Sequence, residues 1–368
     1  MNGPRHAFGL DVLRAVAVGC VLLAHGALFH TDSLPGARYV LITCGVLGVE
    51  IFFALSGFLV GRQLLGVAAG EASAWRFVQR RWWRTLPNYY LFLAINAALV
   101  AWVVTRQGPD ARFLVFAQAL AWPASSAFFP ESWSLAVEEW FYGLGALGFA
   151  LAAWRRATPA AIGWGLVALL VAGPLARWVV QGLAPLEMDA GVRKMCLVRL
   201  DALAFGLGAA WLERHAPRRF AAMARPAWLA AAGCIVAACL AWLGAMAVDL
   251  AFFGPARSAA ERVIASLAFT ALPLAAALAI PWLTLRTGAV RSATHPVSRV
   301  AAWSYSIYLV HFPLLLAMLQ HWPAQGVTAQ AVRTAAWLVA TLAIAAGVHH
   351  AWELPMMRRR PPLAPGAS

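Results

Sequence analysis

The sequence predicts an all-α fold, a polytopic transmembrane helical bundle of about ten spans, and three observations lead there. Of the 368 residues, 62% are hydrophobic and only 12% charged, against roughly 25% charged residues in an ordinary globular protein. Apolar runs of about 20 residues, the length that crosses a hydrocarbon core of about 30 Å, recur from Leu10 almost to the C-terminus. Long polar/apolar alternation is nearly absent, which favours helices, whose backbone groups satisfy one another in lipid, over a barrel.

Taken in order, the runs place helices at about 10–30, 40–61, 85–104, 133–153, 160–180, 195–212, 227–248, 262–285, 301–320 and 329–353. The first is interrupted by Asp11, Arg14 and His25 and leads directly into further spans, so a retained helix fits better than a cleaved signal peptide. Between Arg106 and Glu131 the apolar stretch 113–123 is too short to cross, and is expected as an interfacial or re-entrant segment. Trp82, Trp83, Trp122, Trp133, Trp154, Trp178, Trp211, Trp322 and Trp352 fall near helix ends, where headgroup anchoring is expected. Residues 1–360 form one membrane domain, and 361–368 a disordered tail.

With both termini cytoplasmic, the inner segments hold 18 Lys and Arg and the outer ones 8, the bias that sets orientation. The expected location is the bacterial cytoplasmic (inner) membrane, crossed many times. The net charge of +14 is spread over short loops instead of one basic domain, so the partner is a lipid bilayer and not nucleic acid. Five cysteines without CxxC spacing are expected as free thiols.

Polar residues inside apolar spans are costly, roughly 2.5 to 3.5 kcal/mol for a central charge, and so mark sites or pairs. On the first helix Arg14 and His25 are 11 residues apart, about 20° in rotation and about 16.5 Å in rise, and Asp11 is placed to pair with Arg14. Glu50 on the second helix is a candidate partner for His25, by similar depth alone. Arg80, Arg81 and Arg84 in RRWWRTLP suit phosphate oxygens, although a plain positive-inside cluster also accounts for them. In ESWSLAVEEWFY, Ser134 shares a face with Glu138, while Glu138 and Glu139 point about 100° apart, so only one can aim into a narrow cavity. Tyr305, Tyr308 and His311 form a late polar stripe for the cavity or for interhelical bonds. His350 and Glu353 are too few for a metal site.

In order along the chain, LDVLRAVAVGCVLLAH, VEIFFALSGFLVGR, RRWWRTLPNYY, ESWSLAVEEWFY, WSYSIYLVHFP and HHAWELP resemble the motifs of membrane-bound acyltransferase family 3. Its members are bacterial O-acyltransferases that modify polysaccharides and glycosides; Glu50 stands where aspartate is common. The resemblance implies acetyl-CoA or another acyl-CoA as donor, no metal, and a hydroxyl of a sugar, glycan, glycolipid or small glycoside as acceptor. It implies His25 as the catalytic residue. Glu50 or Glu138 would then fix its tautomer or the acceptor, and Arg80, Arg81 and Arg84 would hold the donor. Asp11, Arg14, Ser134, Glu139, Tyr305, Tyr308, His311 and Glu353 would line or brace the cavity. The competing reading is a transporter or exporter of a glycan or lipid intermediate, which acyl-CoA dependence would separate.

Overall fold

A computed structural model describes residues 8–30, 33, 36–99, 110–120, 128–286 and 295–362, excluding the side chains of 37–39. The expected tail 361–368 therefore lies largely outside the described residues, as do residues 100–109 and 121–127, Trp122 among them. Among them the long helices are α1 (Phe8–Gly26), α2 (Ala37–Ala68), α3 (Ala74–Ile95), α4 (Ser132–Trp154), α5 (Pro159–Leu183) and α6 (Leu200–His215). After the short α7 (Pro217–Met223) come α8 (Pro226–Val248), α9 (Ala259–Leu285), α10 (Pro296–His321), α11 (Gly326–Val348) and a five-residue α12 (Leu354–Arg358).

Each of the ten expected spans falls at least partly on a long helix, the end of the third lying outside the described residues, and among the described residues 8 helices are long and apolar enough to cross a membrane. The third, expected at 85–104, begins instead at Ala74, because Ser73 accepts from the Arg76 amide and caps a helix rich in arginine. The sixth has 16 residues, about 24 Å at 1.5 Å per residue, short of the hydrocarbon core.

Helix α2 is the axis, packing against α1, α4, α6, α8 and α9. Its closest neighbour is α6. A Cβ at Gly206 would lie 1.8 Å from the Ala54 carbonyl oxygen, and one at Gly57 would lie 1.9 Å from that of Leu203. The two backbones touch because neither position carries a side chain, the usual route to close helix contact without a hydrophobic driving force. Lipid-facing surface is clearest on α5, where Trp164, Val167, Val171, Leu175 and Trp178 are exposed at helical spacing.

In the segment after α3, the described residues 110–120 form no spanning helix. Residues 111–115 make one 3-10 turn, pinned from α3 when the Tyr89 and Tyr90 hydroxyls donate to the Phe113 and Leu114 carbonyls, both at 2.7 Å. Trp133 is a correction to the anchoring expectation: it is buried, edge-on to Phe53 and beneath the Arg193 guanidinium at 4.7 Å. Trp82, Trp154, Trp178, Trp322 and Trp352 are exposed as expected.

Gly206→Ala should lower the thermal unfolding midpoint in detergent, since overpacking costs about 1–3 kcal/mol. Gly19→Ala, at a position with open space around it, should leave the midpoint unchanged or slightly raised. Equal midpoints for the two variants would refute the backbone contact.

Candidate active site

A cavity of about 100 Å³ lies between α1, α2, α3, α4 and α10. Arg14, Arg81 and Arg84 supply its positive wall, and Ser134, Glu138 and Tyr142 come from α4. Tyr305 and Tyr308, two of the three residues of the stripe expected on α10, line it as well. Asp11 is buried 4.0 Å from Arg14, the i, i+3 pair expected on α1.

On α4, Glu138 and Glu139 diverge as helix geometry requires. Glu138 lines the cavity and accepts at 2.9 Å from the Tyr142 hydroxyl, whose oxygen meets Ser56 at 2.5 Å. Glu139 turns to α3 and accepts from Thr85 at 2.7 Å. The Ser134 and Tyr308 hydroxyls meet at 2.7 Å and both reach the Glu131 carbonyl. Because Tyr308 is in the middle of α10, α4 begins inside the bundle rather than at its surface.

Beyond Tyr308, the next turn of α10 carries His311, whose Nε2 lies 2.9 Å from His25 Nδ1. Their rings are 4.9 Å apart, and Phe312 packs edge-on to His25 at 5.0 Å. The Trp337 indole donates to the His311 carbonyl at 2.9 Å, fastening this end of the site to α11. His25 thus has a histidine partner that its sequence neighbourhood does not announce.

Glu50 does not form the dyad with His25 suggested by depth. Its carboxylate is wholly buried against Arg199, which also donates to the Phe269 carbonyl at 2.8 Å. A second buried pair, Arg177 with Asp201 at 2.7 Å, joins α5 to α6 and donates onward to Ser266 and Thr270 of α9. Arg177, Arg199 and Asp201 were missed as functional residues from the sequence. Their signal was present as basic groups left inside spans, each of which needs an acid.

Two further positions have partners that the sequence did not indicate. Arg80 is not a cavity residue: its Nη1 donates to the Pro361 carbonyl at 2.6 Å. Glu353 is a brace, accepting from Ser306 at 2.9 Å and meeting His349, not His350, at 2.9 Å. Among the described residues no group of three or more His, Cys, Asp or Glu is placed to hold a metal ion.

These features define a polytopic membrane protein with an internal, arginine-walled polar cavity. Residues 8–350 match the family model described as an acyltransferase domain, acyltransferase family 3, and the chain belongs to that family. It is also similar to a protein of Komagataeibacter xylinus described as the membrane-bound transacylase BcsY, at 30% identity over 155 residues, or 37% of this chain. The match spans about a third, 35%, of that relative's length. No solved structure matches the chain.

Removing one member of a buried ion pair leaves a stranded charge and costs about 3–5 kcal/mol, whereas replacing both by apolar groups is often neutral. Glu50→Leu alone should therefore lose folded protein in detergent, and Glu50→Leu with Arg199→Met should recover it, as read by size-exclusion yield and unfolding midpoint. A double variant no more stable than the single one would show that the pair is not what holds Glu50.

Proposed function

We propose that this chain is an integral-membrane O-acyltransferase that moves an acetyl or other short acyl group from acyl-CoA to a hydroxyl of a sugar, glycan, glycolipid or small glycoside. It would work in the bacterial inner membrane with both termini cytoplasmic. The reading rests on family membership and on one observation: the His25–His311 pair stands one turn beyond a cavity walled by Arg81 and Arg84. Guanidinium forks suit the phosphates of a CoA thioester. A neutral imidazole suits the proton of an attacking hydroxyl.

The tautomers follow from the contact. For His25 to accept a proton at Nε2, its Nδ1 must already carry one, and that N–H donates to His311 Nε2. His311 then bears its own proton on Nδ1 and acts as the positioning partner, the role first assigned to Glu50 or Glu138. As the acceptor oxygen attacks the thioester carbonyl, its proton passes to His25. The C–S bond breaks, and the imidazolium returns the proton to the departing CoA thiolate. Glu138, held by Tyr142 on the cavity wall, is suited to orient a hydroxyl, while Arg14 and Asp11 keep the cavity charged near its arginine end. Direct transfer of this kind is preferred to an acyl-histidine intermediate.

Purified protein incubated with labelled acetyl-CoA and candidate sugars should yield a labelled ester, and no transfer from any acyl-CoA would remove the proposal. His25→Ala and His25→Asn should fold yet lose about 10²- to 10⁴-fold in turnover, whereas near-normal turnover in His25→Asn would exclude His25 as the base. His311→Gln, which keeps an acceptor for the His25 N–H, should retain more activity than His311→Leu. Label trapped on wild-type protein and lost with His25 would favour the covalent route. Arg84→Lys should weaken donor use about as much as Arg84→Ala, because lysine keeps the charge but not the fork.

A further inference from the structure

Several arginines of this chain end on a carboxylate: Arg62 on Glu213, Arg214 on Glu71, Arg193 on Asp189, Arg257 on Asp249 and Glu261. The group around α3 is different. Arg80, Arg81, Arg84 and Arg360 make no ion pair within 4 Å among the described residues, and the Nε atoms of Arg80 and Arg81 are buried without an acceptor. The acids nearby are already engaged, Glu139 by Thr85, Glu138 by Tyr142 and Glu353 by Ser306 and His349. Like charges gathered with orphan donors destabilise the free protein and are relieved by a bound anion.

The chain after α11 is brought to this group by specific contacts. Helix α12 packs on α3, and Arg80 clasps the Pro361 carbonyl at 2.6 Å. Of the three consecutive arginines, Arg358 and Arg359 are exposed, while Arg360 is half-buried with its Nε donating to the Met357 carbonyl at 2.8 Å. That bond spends one of its five N–H groups and leaves the outer fork open. Burial, with repulsion from Arg84 and Arg80, lowers the Arg360 pKa, as expected for a guanidinium facing its own kind. A charge present only to orient the chain in a membrane has no reason to turn inward.

We propose that the C-terminal segment completes the donor site through Arg360, which alone of its three consecutive arginines joins Arg81 and Arg84 on the phosphates of the CoA nucleotide, while Arg80 holds the segment in place. The inference rests on the acyl-CoA reading given above. A cavity of about 100 Å³ admits the acyl end of such a donor but not its nucleotide, so the phosphates must lie outside it, at the mouth. The C-terminal segment is then a determinant of donor choice: it selects a phosphorylated thioester over a bare pantetheine one.

The test is equilibrium binding of CoA and of pantetheine, which lacks the nucleotide, to the purified full-length protein in detergent. Wild type should prefer CoA. Arg360→Ala should weaken CoA binding by about 10-fold or more, the effect of losing charge-assisted hydrogen bonds, and leave pantetheine binding unchanged. Arg360→Lys should fall between, and Arg359→Ala, at an exposed neighbour, should match wild type. Should either Arg360 variant fail to give monodisperse protein, the other carries the comparison. Unchanged CoA affinity in Arg360 variants of a wild type that prefers CoA would overturn this proposal alone. A wild type that binds CoA no better than pantetheine would overturn the acyl-CoA reading and this proposal with it.

Discussion

Two ion pairs, Glu50 with Arg199 and Asp201 with Arg177, are wholly buried in a bundle whose outer surface meets lipid. Most of the packing is arranged to permit them. Four charged groups from α2, α5, the turn before α6 and α6 itself have no water to fall back on, so they must find one another. The Asp201 carboxylate fits only because Gly173 opposes it, where a Cβ would lie 2.3 Å from its Cγ. On its other side α6 is drawn onto α2 by the Gly57–Gly206 contact. Helix α6 is too short to span the membrane alone, and these two attachments replace the lipid contact that a longer apolar helix would have.

Fixing α2 in this way also separates two electrostatic regions. Glu50 is consumed by Arg199, so among the described residues the one carboxylate that lines the cavity with Arg14, Arg81 and Arg84 is Glu138. The cavity keeps a surplus of positive charge, which suits an anionic thioester donor. The histidine pair is set apart, with its imidazoles bonded to each other. One ring must donate and the other accept, so both cannot be protonated while the bond stands. If His25 is the donor, its Nε2 is left free to take a proton, as the proposed hydroxyl activation needs.

The features readable in the sequence were those set by helix periodicity over a few residues. Asp11 with Arg14, Ser134 with Glu138, and the divergence of Glu138 from Glu139 depend on 100° per residue and survive in the structure. Pairings between distant elements were hidden. His25 and His311 are 286 residues apart and Glu50 and Arg199 are 149 apart, and depth in the membrane alone does not choose between partners on different helices. Three basic residues, Arg14, Arg177 and Arg199, belong to no loop in the charge count, and the acids that meet them are Asp11, Asp201 and Glu50. That bookkeeping would have moved Glu50 away from His25. The Arg80 contact was hidden for another reason: motif spacing cannot show that a carbonyl from the far end of the chain reaches its guanidinium.

Helix α10 ties the two ends of the site together. Tyr305 donates to the Thr85 carbonyl on α3, Ser306 to Glu353, Tyr308 meets Ser134 on α4, and His311 meets His25 on α1. From residue 305 to 311 the rise is about 9 Å, and within it the helix touches the arginine-bearing wall, the C-terminal brace, the buried start of α4 and the histidine pair. No one of these contacts can shift along α10 without carrying the others. The separation between the proposed phosphate-binding end and the proposed base is therefore set by one rigid element, not by the sum of several loops. A reaction in which the thioester and the hydroxyl must meet at His25 depends on that spacing, since misplacement by about 1 Å can cost roughly 10²-fold. The polar stripe Tyr305, Tyr308 and His311 is thus a ruler as much as a lining, which accounts for bulky hydroxyl-bearing and imidazole side chains where shorter polar residues would already satisfy a neighbouring helix.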